Sequence, residues 1–461
     1  MFTASSLDDL DANLEHLGRS FLNKCTFTND TSIDYAQFRG TPNEDRFAIS
    51  EDWRLNDRVW QFLAVFDGKL YAVCLKPSSS RTDFIGHGGS TTADYLAKHF
   101  PSNLRRSMER SFSSSPESGI PLLSSTSQSS AVPLTAKNVS EFLKREVQWF
   151  DEELGHAVKA ICPHPENIND DKEAYALYEA HKEVIARARC GSTMAGILVD
   201  KTENKMWVCC VGDSSVVLST KASTGSKRTT VLVNDHHTGR TPQEYHRVSM
   251  AHPSHERDNI WLDGEDRIFG TLSMTRAFGD FMFKFPTSFT TALFSKFPSS
   301  AMRSVETVLR YNWTPPYVIS DPSVKFVDLT MFSKDMDPVV VIYTDGLETL
   351  ANGLLMSLKK KSVSDATSGT LDVLPTAVDI IGTLLGRRPD LSMPSITLSV
   401  ENFPENNAAF NLTYELLCRT ISDKLRSHLM AEDNAVSPSI GDEDLYIDDI
   451  TVIVFRPFTH Q

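Results

Sequence analysis

The chain has 461 residues, 40% of them hydrophobic, with a formal net charge of −14. That length and apolar content are enough for a substantial core, in two or three average domains or one large layered one. The acidity and the lack of a basic tract exclude a nucleic-acid backbone or an anionic membrane as main partner, and the longest apolar runs are strand-sized, so no membrane span is expected.

In chain order, Leu7, Leu10, Leu14, Leu17 and Phe21 fall near helical spacing and predict an amphipathic helix over residues 1 to about 24, within a 1–34 extension. The same stretch carries Asp8, Asp9, Asp11 and Glu15 before its first basic residue, Arg19, a poor pattern for a secretory signal or a mitochondrial transit peptide. Strands are expected around Phe47–Ser50 and 61–66, then a helix over Thr91–His99. Residues 112–135 are Ser/Pro-rich and read as a surface loop. Two long amphipathic helices are expected at about 139–160 and 171–189, and strands dominate from Ser192 to Val233. Residues 283–313 read as helical or loop material, residues 352–430 as further helices, and 450–455 as the last strand. Paired strands interrupted by helix pairs predict sheet layers flanked by helices, not a βαβ repeat. Both ends of the chain contribute to the aspartate pattern described next, so residues 35–461 read as one domain, with insertions at about 69–86, 112–135 and 283–313. The seven cysteines are scattered without a CxxC spacing, as in a reduced, intracellular protein.

Three of the apolar runs end at an aspartate beside a glycine. Gln61–Phe66 runs into Asp67-Gly68, Met206–Val211 into Gly212-Asp213, and Val339–Thr344 into Asp345-Gly346. A fourth run, Ile450–Phe455, opens from Asp448-Asp449, and Asn43-Glu44-Asp45 lies upstream of them all. One Asp-Gly at a strand end is ordinarily a turn. Several carboxylates at strand ends in one chain can gather at one edge, where they repel unless hard cations neutralise them. The pattern therefore points to Mg²⁺ or Mn²⁺.

The ordered set extends further. Asn43-Glu44-Asp45-Arg46, Val65-Phe66-Asp67-Gly68, Cys190-Gly191-Ser192-Thr193 and Val211-Gly212-Asp213-Ser214 are followed by Asn234-Asp235-His236, Glu244 and Arg247. Then come Arg276-Ala277-Phe278-Gly279-Asp280, Thr344-Asp345-Gly346-Leu347 and Asp449-Ile450-Thr451-Val452. Over roughly residues 35–456 this set resembles the metal-dependent protein serine/threonine phosphatases of the 2C type. His252-Pro253, Glu256, the stretch 266–280, Thr314-Pro315-Pro316-Tyr317 and the doubled Asp448-Asp449 resemble, more narrowly, pyruvate dehydrogenase phosphatase catalytic subunits. The resemblance implies an α+β fold, a four-layer α-β-β-α sandwich with two antiparallel sheets flanked by helix pairs. It implies two Mg²⁺ or Mn²⁺ ions bridged by a water or hydroxide that attacks phosphorus in line. Asp67 and the Gly68 carbonyl, with Asp345 and Asp448, would bind the pair; Glu44 and Asp45 would act through water, and Asp213 would serve a weaker third site. Arg39 would grip the substrate phosphate, and His87 would protonate the leaving alkoxide. The implied partner is a phosphoprotein, with the pyruvate dehydrogenase complex as the narrower expectation. The implied location is the mitochondrial matrix, against which the acidic start stands; the alternative is the cytoplasm.

The chain departs from the family pattern at one telling place. After Asp67-Gly68 come eighteen residues, Lys69–Gly86, before His87-Gly88-Gly89. Deleting them leaves VFDGHGGSTTADYLAKHF, a close family match. Gly68-Lys69 and Ile85-Gly86 both allow in-frame splice-site codons, so the segment reads as a retained intron; the other reading is a genuine surface loop, whose closure is thermodynamically cheap. Arg39 stands five residues before Glu44, where four are expected. Glu348 lacks the tryptophan usual before it, and Ser215 stands where arginine is common. These departures leave a second function open, a catalytically impaired phosphatase-like scaffold or regulatory binding protein.

Overall fold

In a computed structural model of the chain, the residues described are 2–3, 25–29, 32–38, 43–69, 89–113, 132–168, 170–222, 228–262, 266–296, 302–353, 376–385, 407–417, 439–440 and 448–458. Arg39, His87, the 69–86 segment beyond Lys69, most of the Ser-rich stretch and residues 4–24 of the expected first helix lie outside them. Phe2–Thr3 are extended, not helical, and pair with Ser439–Ile440. Their backbone hydrogen bonds are met across a ladder, which corrects the expectation of a helix from residue 1. Two compact units make up the chain, one of Arg46–Ser214 with Asn234–Thr330, the other of Met1–Asp45, Ser215–Val233 and Met331–Gln461.

The first of these is built on a six-stranded antiparallel sheet. Its order is Ser323–Asp328, Lys205–Val211, Met194–Asp200, Arg58–Phe66, Arg46–Ile49, with Trp53–Leu55 also pairing with Arg58–Phe66. Met194–Asp200 is buried at every position, and up to Val199 its sequence is a continuous small and apolar run without alternation. The helices Thr91–Phe112 and Ala136–Ile161 cover the sheet. Leu96, Phe100, Leu104 and Met108 recur every fourth residue and join Phe62, Leu198 and Trp207 in one core. Thr135 caps the second helix by accepting from Asn138 N–H. A small three-stranded sheet joins Gly68–Lys69, Gly191–Ser192 and Phe278–Gly279.

The second unit holds the other six-stranded antiparallel sheet, in the order Arg228–Leu232, Ser215–Lys221, Val339–Tyr343, Ile450–Phe455, Ile33–Phe38, Cys25–Asn29. Helices over 345–353, Ala377–Leu384 and 408–417 pack Leu347, Leu350, Ile381 and Phe410 against Val217, Val341, Tyr343 and Val452. The chain is thus α+β, with helices laid on antiparallel sheets. Among the described residues no helix is long and apolar enough to cross a membrane.

Candidate metal centre

Strand direction decides where the carboxylates go. Val339–Tyr343 and Ile450–Phe455 are antiparallel neighbours, with Tyr343 opposite Val452. The end of one strand therefore lies beside the start of the other, and Asp345 meets Asp448-Asp449 at one sheet end. Ile33–Phe38 finishes there too, with Phe38 opposite Ile450. Asp45 is buried at 1% exposure and is fixed from several directions. Thr344 Oγ1 donates to its Oδ2 at 2.7 Å, Gln37 Nε2 donates to its carbonyl at 3.0 Å, and its own N–H donates to Asn43 Oδ1 at 2.8 Å. Glu44 N–H donates to Asp449 Oδ2 at 2.6 Å, and Asp449 N–H to Asp448 Oδ1 at 3.0 Å. Burial drives the Asp45 carboxyl well above the usual range. The Thr344 hydroxyl opposes that rise, and the charges of Asp449, Asp345 and Asp448 add to it. A group of carboxylates that resist ionising together is a receptor for hard cations.

In the other unit the same logic applies to different strands. Arg58–Phe66 and Lys205–Val211 are each antiparallel to Met194–Asp200. They therefore run parallel to each other and finish at the same end, which delivers Asp67 and Asp213. Carboxylate oxygens of these two residues lie within 4.8 Å of one another. Thr193, fully buried, ties the two turns: its N–H donates to the Asp67 carbonyl at 2.9 Å, and its Oγ1 lies 2.7 Å from Ser214 Oγ. Gly212 sits at φ +97°, and a Cβ there would fall 2.5 Å from Thr193 Cγ2, so glycine is required both by conformation and by space.

Behind this turn is an ion network in which Glu244 is buried and its arginine partners are partly exposed. Burial alone would push the Glu244 carboxyl up. Hydrogen bonds from Arg276, Arg247 and Thr275 outweigh it and hold the group at about 2. Glu244 and Arg247 belong to the sequence pattern, and structurally they pin Thr275 and Arg276. Cys190, Cys209 and Cys210 are all buried, and burial raises the Cys209 thiol well up and that of Cys210 to about 12. These two are inert as nucleophiles at neutral pH. The donor set at both strand-end clusters is oxygen only, the set that suits Mg²⁺ or Mn²⁺.

Four residues with positioning roles were not assigned any from sequence. Asp449 was legible only as half of a doublet, Thr193 only as part of Gly-Ser-Thr, and Thr344 only as the last residue of a run. His237, whose Nδ1 accepts from Gly212 N–H at 3.2 Å, left no signal at all. Glu348 accepts from Ser215 Oγ at 3.3 Å.

The protein phosphatase 2C family profile matches residues 73–370, more than half of the chain, and the chain belongs to that family. Asp213 and Asp345 lie inside the match, which begins within the 69–86 segment. The chain is 26% identical over 285 residues to the mitochondrial [pyruvate dehydrogenase [acetyl-transferring]]-phosphatase 1 of Homo sapiens, covering 60% of this chain and 49% of that protein. It is 25% identical over 292 residues to a protein phosphatase 2C homolog of Schizosaccharomyces pombe, covering 62% and 53%. The chain thus spans about half the length of the curated relatives it matches. Among solved structures, the serine-threonine phosphatase 2C from Toxoplasma gondii is similar with a TM-score of 0.39 at 14% identity, covering 94% of this chain and 98% of that one.

Proposed function

We propose that this protein hydrolyses phosphoserine and phosphothreonine in proteins with the help of divalent cations. The observation that carries the reading is the gathering of Asp345, Asp448 and Asp449 about buried Asp45, in a chain of the protein phosphatase 2C family. Asp67, the Gly68 carbonyl, Asp345 and Asp448 are the proposed holders of Mg²⁺ or Mn²⁺, with Glu44 and Asp45 acting through water and Asp213 at a weaker third position. When bound, such cations supply Lewis acidity toward water and toward phosphoryl oxygens. The protein's own part is to hold these carboxylates in fixed positions. Thr344 holds Asp45, Asp449 holds the Glu44 backbone, and Thr193 holds the turns of Asp67 and Asp213. Arg39 is the proposed grip on the substrate phosphate and His87 the proposed proton donor to the leaving alkoxide.

The test is turnover of a phosphoserine peptide with Mn²⁺, with Mg²⁺, and after exhaustive chelation. Activity is expected only with metal, and undiminished turnover in the metal-free protein would sink the reading. As the narrower proposal, the substrate is phosphoserine in the E1α subunit of pyruvate dehydrogenase, supported by the names of several relatives. Equal rates on E1α and on unrelated phosphoproteins would remove it. The mitochondrial location in those names is likewise proposed here, and cell fractionation decides it. We further propose that residues 69–86 hinder the site, so that joining Gly68 to His87 raises kcat; equal kcat at matched metal occupancy would show a harmless loop.

A further inference from the structure

The turn at Gly212-Asp213 is gripped by a side chain that the proposed chemistry does not use. Gly212 N–H donates to His237 Nδ1 at 3.2 Å, and His237 N–H donates back to the Gly212 carbonyl at 2.9 Å. Both backbone groups of one glycine are thus held by one residue, 25 positions away. On its other side the turn meets Thr193, with no space for a β-carbon. His237 is itself anchored, because Thr275 N–H donates to its carbonyl at 2.9 Å and Thr275 Oγ1 donates to Glu244 Oε2 at 2.5 Å. The chain of contacts therefore runs from buried Glu244, with Arg247 and Arg276, to the residue next to Asp213.

We infer that His237 is a positioning residue for Asp213: as a neutral imidazole accepting through Nδ1, it sets the turn that presents the Asp213 carboxylate to a divalent cation. An N–H donor aimed at Nδ1 demands a bare lone pair there, so the ring proton belongs on Nε2. At 2% exposure the ring is in a poor place to carry a charge. Burial, then Arg276, push its pKa down to about 3, Arg247 adds to this, and Glu244 and Asp235 oppose it. Partners that orient a metal-binding group are worth about 10–100-fold in metal affinity. A residue that merely fills space would instead affect stability alone. The inference rests on the metal-dependent reading of the site and adds a residue to it.

The experiment is a Mn²⁺ titration of the full chain by calorimetry, for the wild type, His237→Phe and His237→Asn. Phenylalanine keeps the ring and removes the acceptor, while asparagine places Oδ1 close to where Nδ1 was. His237→Phe is expected to lose about 10–100-fold in Mn²⁺ affinity at the weakest site, with the metal KM rising more than kcat falls, and His237→Asn to recover most of it. Coincident isotherms for wild type and His237→Phe overturn the inference while leaving the phosphatase reading intact. A wild type that binds no Mn²⁺ overturns both. If His237→Phe does not fold, ¹⁵N-histidine NMR of the wild type decides. A hydrogen-bonded, unprotonated Nδ1 at pH 7 supports the role, and a protonated Nδ1 overturns it.

Discussion

Thr344 Oγ1 donates to Asp45 Oδ2 at 2.7 Å and accepts from Thr451 N–H at 3.0 Å. One hydroxyl thereby links a buried carboxylate to the last strand of its sheet. Valine at this position keeps the shape and removes both functions. Because the carboxylate and the N–H it leaves are buried, Thr344→Val is expected to cost about 1–3 kcal/mol, read by urea unfolding in chelator, with Thr344→Ser restoring most of the loss. A valine variant as stable as the wild type would mean that water or a shifted neighbour replaces the hydroxyl at no cost.

Asp345→Asn and Asp448→Asn should separate function from stability. Each removes a preorganised charge from the proposed metal site, and turnover is expected to fall by on the order of 10² or more. Each also removes a charge that repels Asp45. The metal-free protein should therefore melt at the same temperature as the wild type or higher. If both variants fold and keep near wild-type kcat, neither aspartate serves the reaction.

Glu244 sets a pH dependence of known sign. Its folded pKa, about 2, lies below the ordinary 4.5, so the stability it contributes is present above pH 4.5 and is lost as pH falls toward 2. The difference corresponds to at most about 3 kcal/mol, reduced by solvent screening at the partly exposed Arg247 and Arg276. Glu244→Gln should be less stable than wild type by up to that amount at neutral pH, and the two stability curves should converge between about pH 4.5 and 2. Parallel curves over that range would show that arginine pairing is not what holds this carboxylate.

What the sequence made legible was local. Phe66 before Asp67, Val211 before Gly212 and Tyr343 near Asp345 mark strand ends because buried strands are continuous apolar runs that stop where water begins. The residues holding those carboxylates escaped notice because their partners are remote. Thr344 meets Asp45 across 299 positions and Glu44 meets Asp449 across 405, and no periodicity reports such pairs. His237 looked like one of two adjacent histidines, and only the return of the chain to Gly212 gives it a task. Within the doublet, Asp449 holds the Glu44 backbone, a task that two identical neighbours in sequence do not reveal.

Gly346 offers the most direct test of how tightly the strand-end carboxylates are held. It is the second residue of the helix over 345–353, and a β-carbon there would lie 2.1 Å from the Asp449 carbonyl oxygen and 3.0 Å from Ile450 Cγ1. Side chains can rotate away from such a contact, but a backbone carbonyl cannot. Gly346→Ala must therefore displace either the start of the helix, which carries Asp345, or the Asp448-Asp449 segment, whose Oδ2 receives Glu44 N–H. Overpacking of this kind typically costs about 1–3 kcal/mol, so the variant should fold with a lowered Tm. Misplacement near 1 Å can cost about 10²-fold in rate, so kcat should fall far more than stability alone predicts, together with Mn²⁺ affinity. A Gly346→Ala protein with unchanged Mn²⁺ affinity and kcat would show that the Asp345 and Asp449 segments can separate without harm, and that close packing at this sheet end does not position the metal-binding groups.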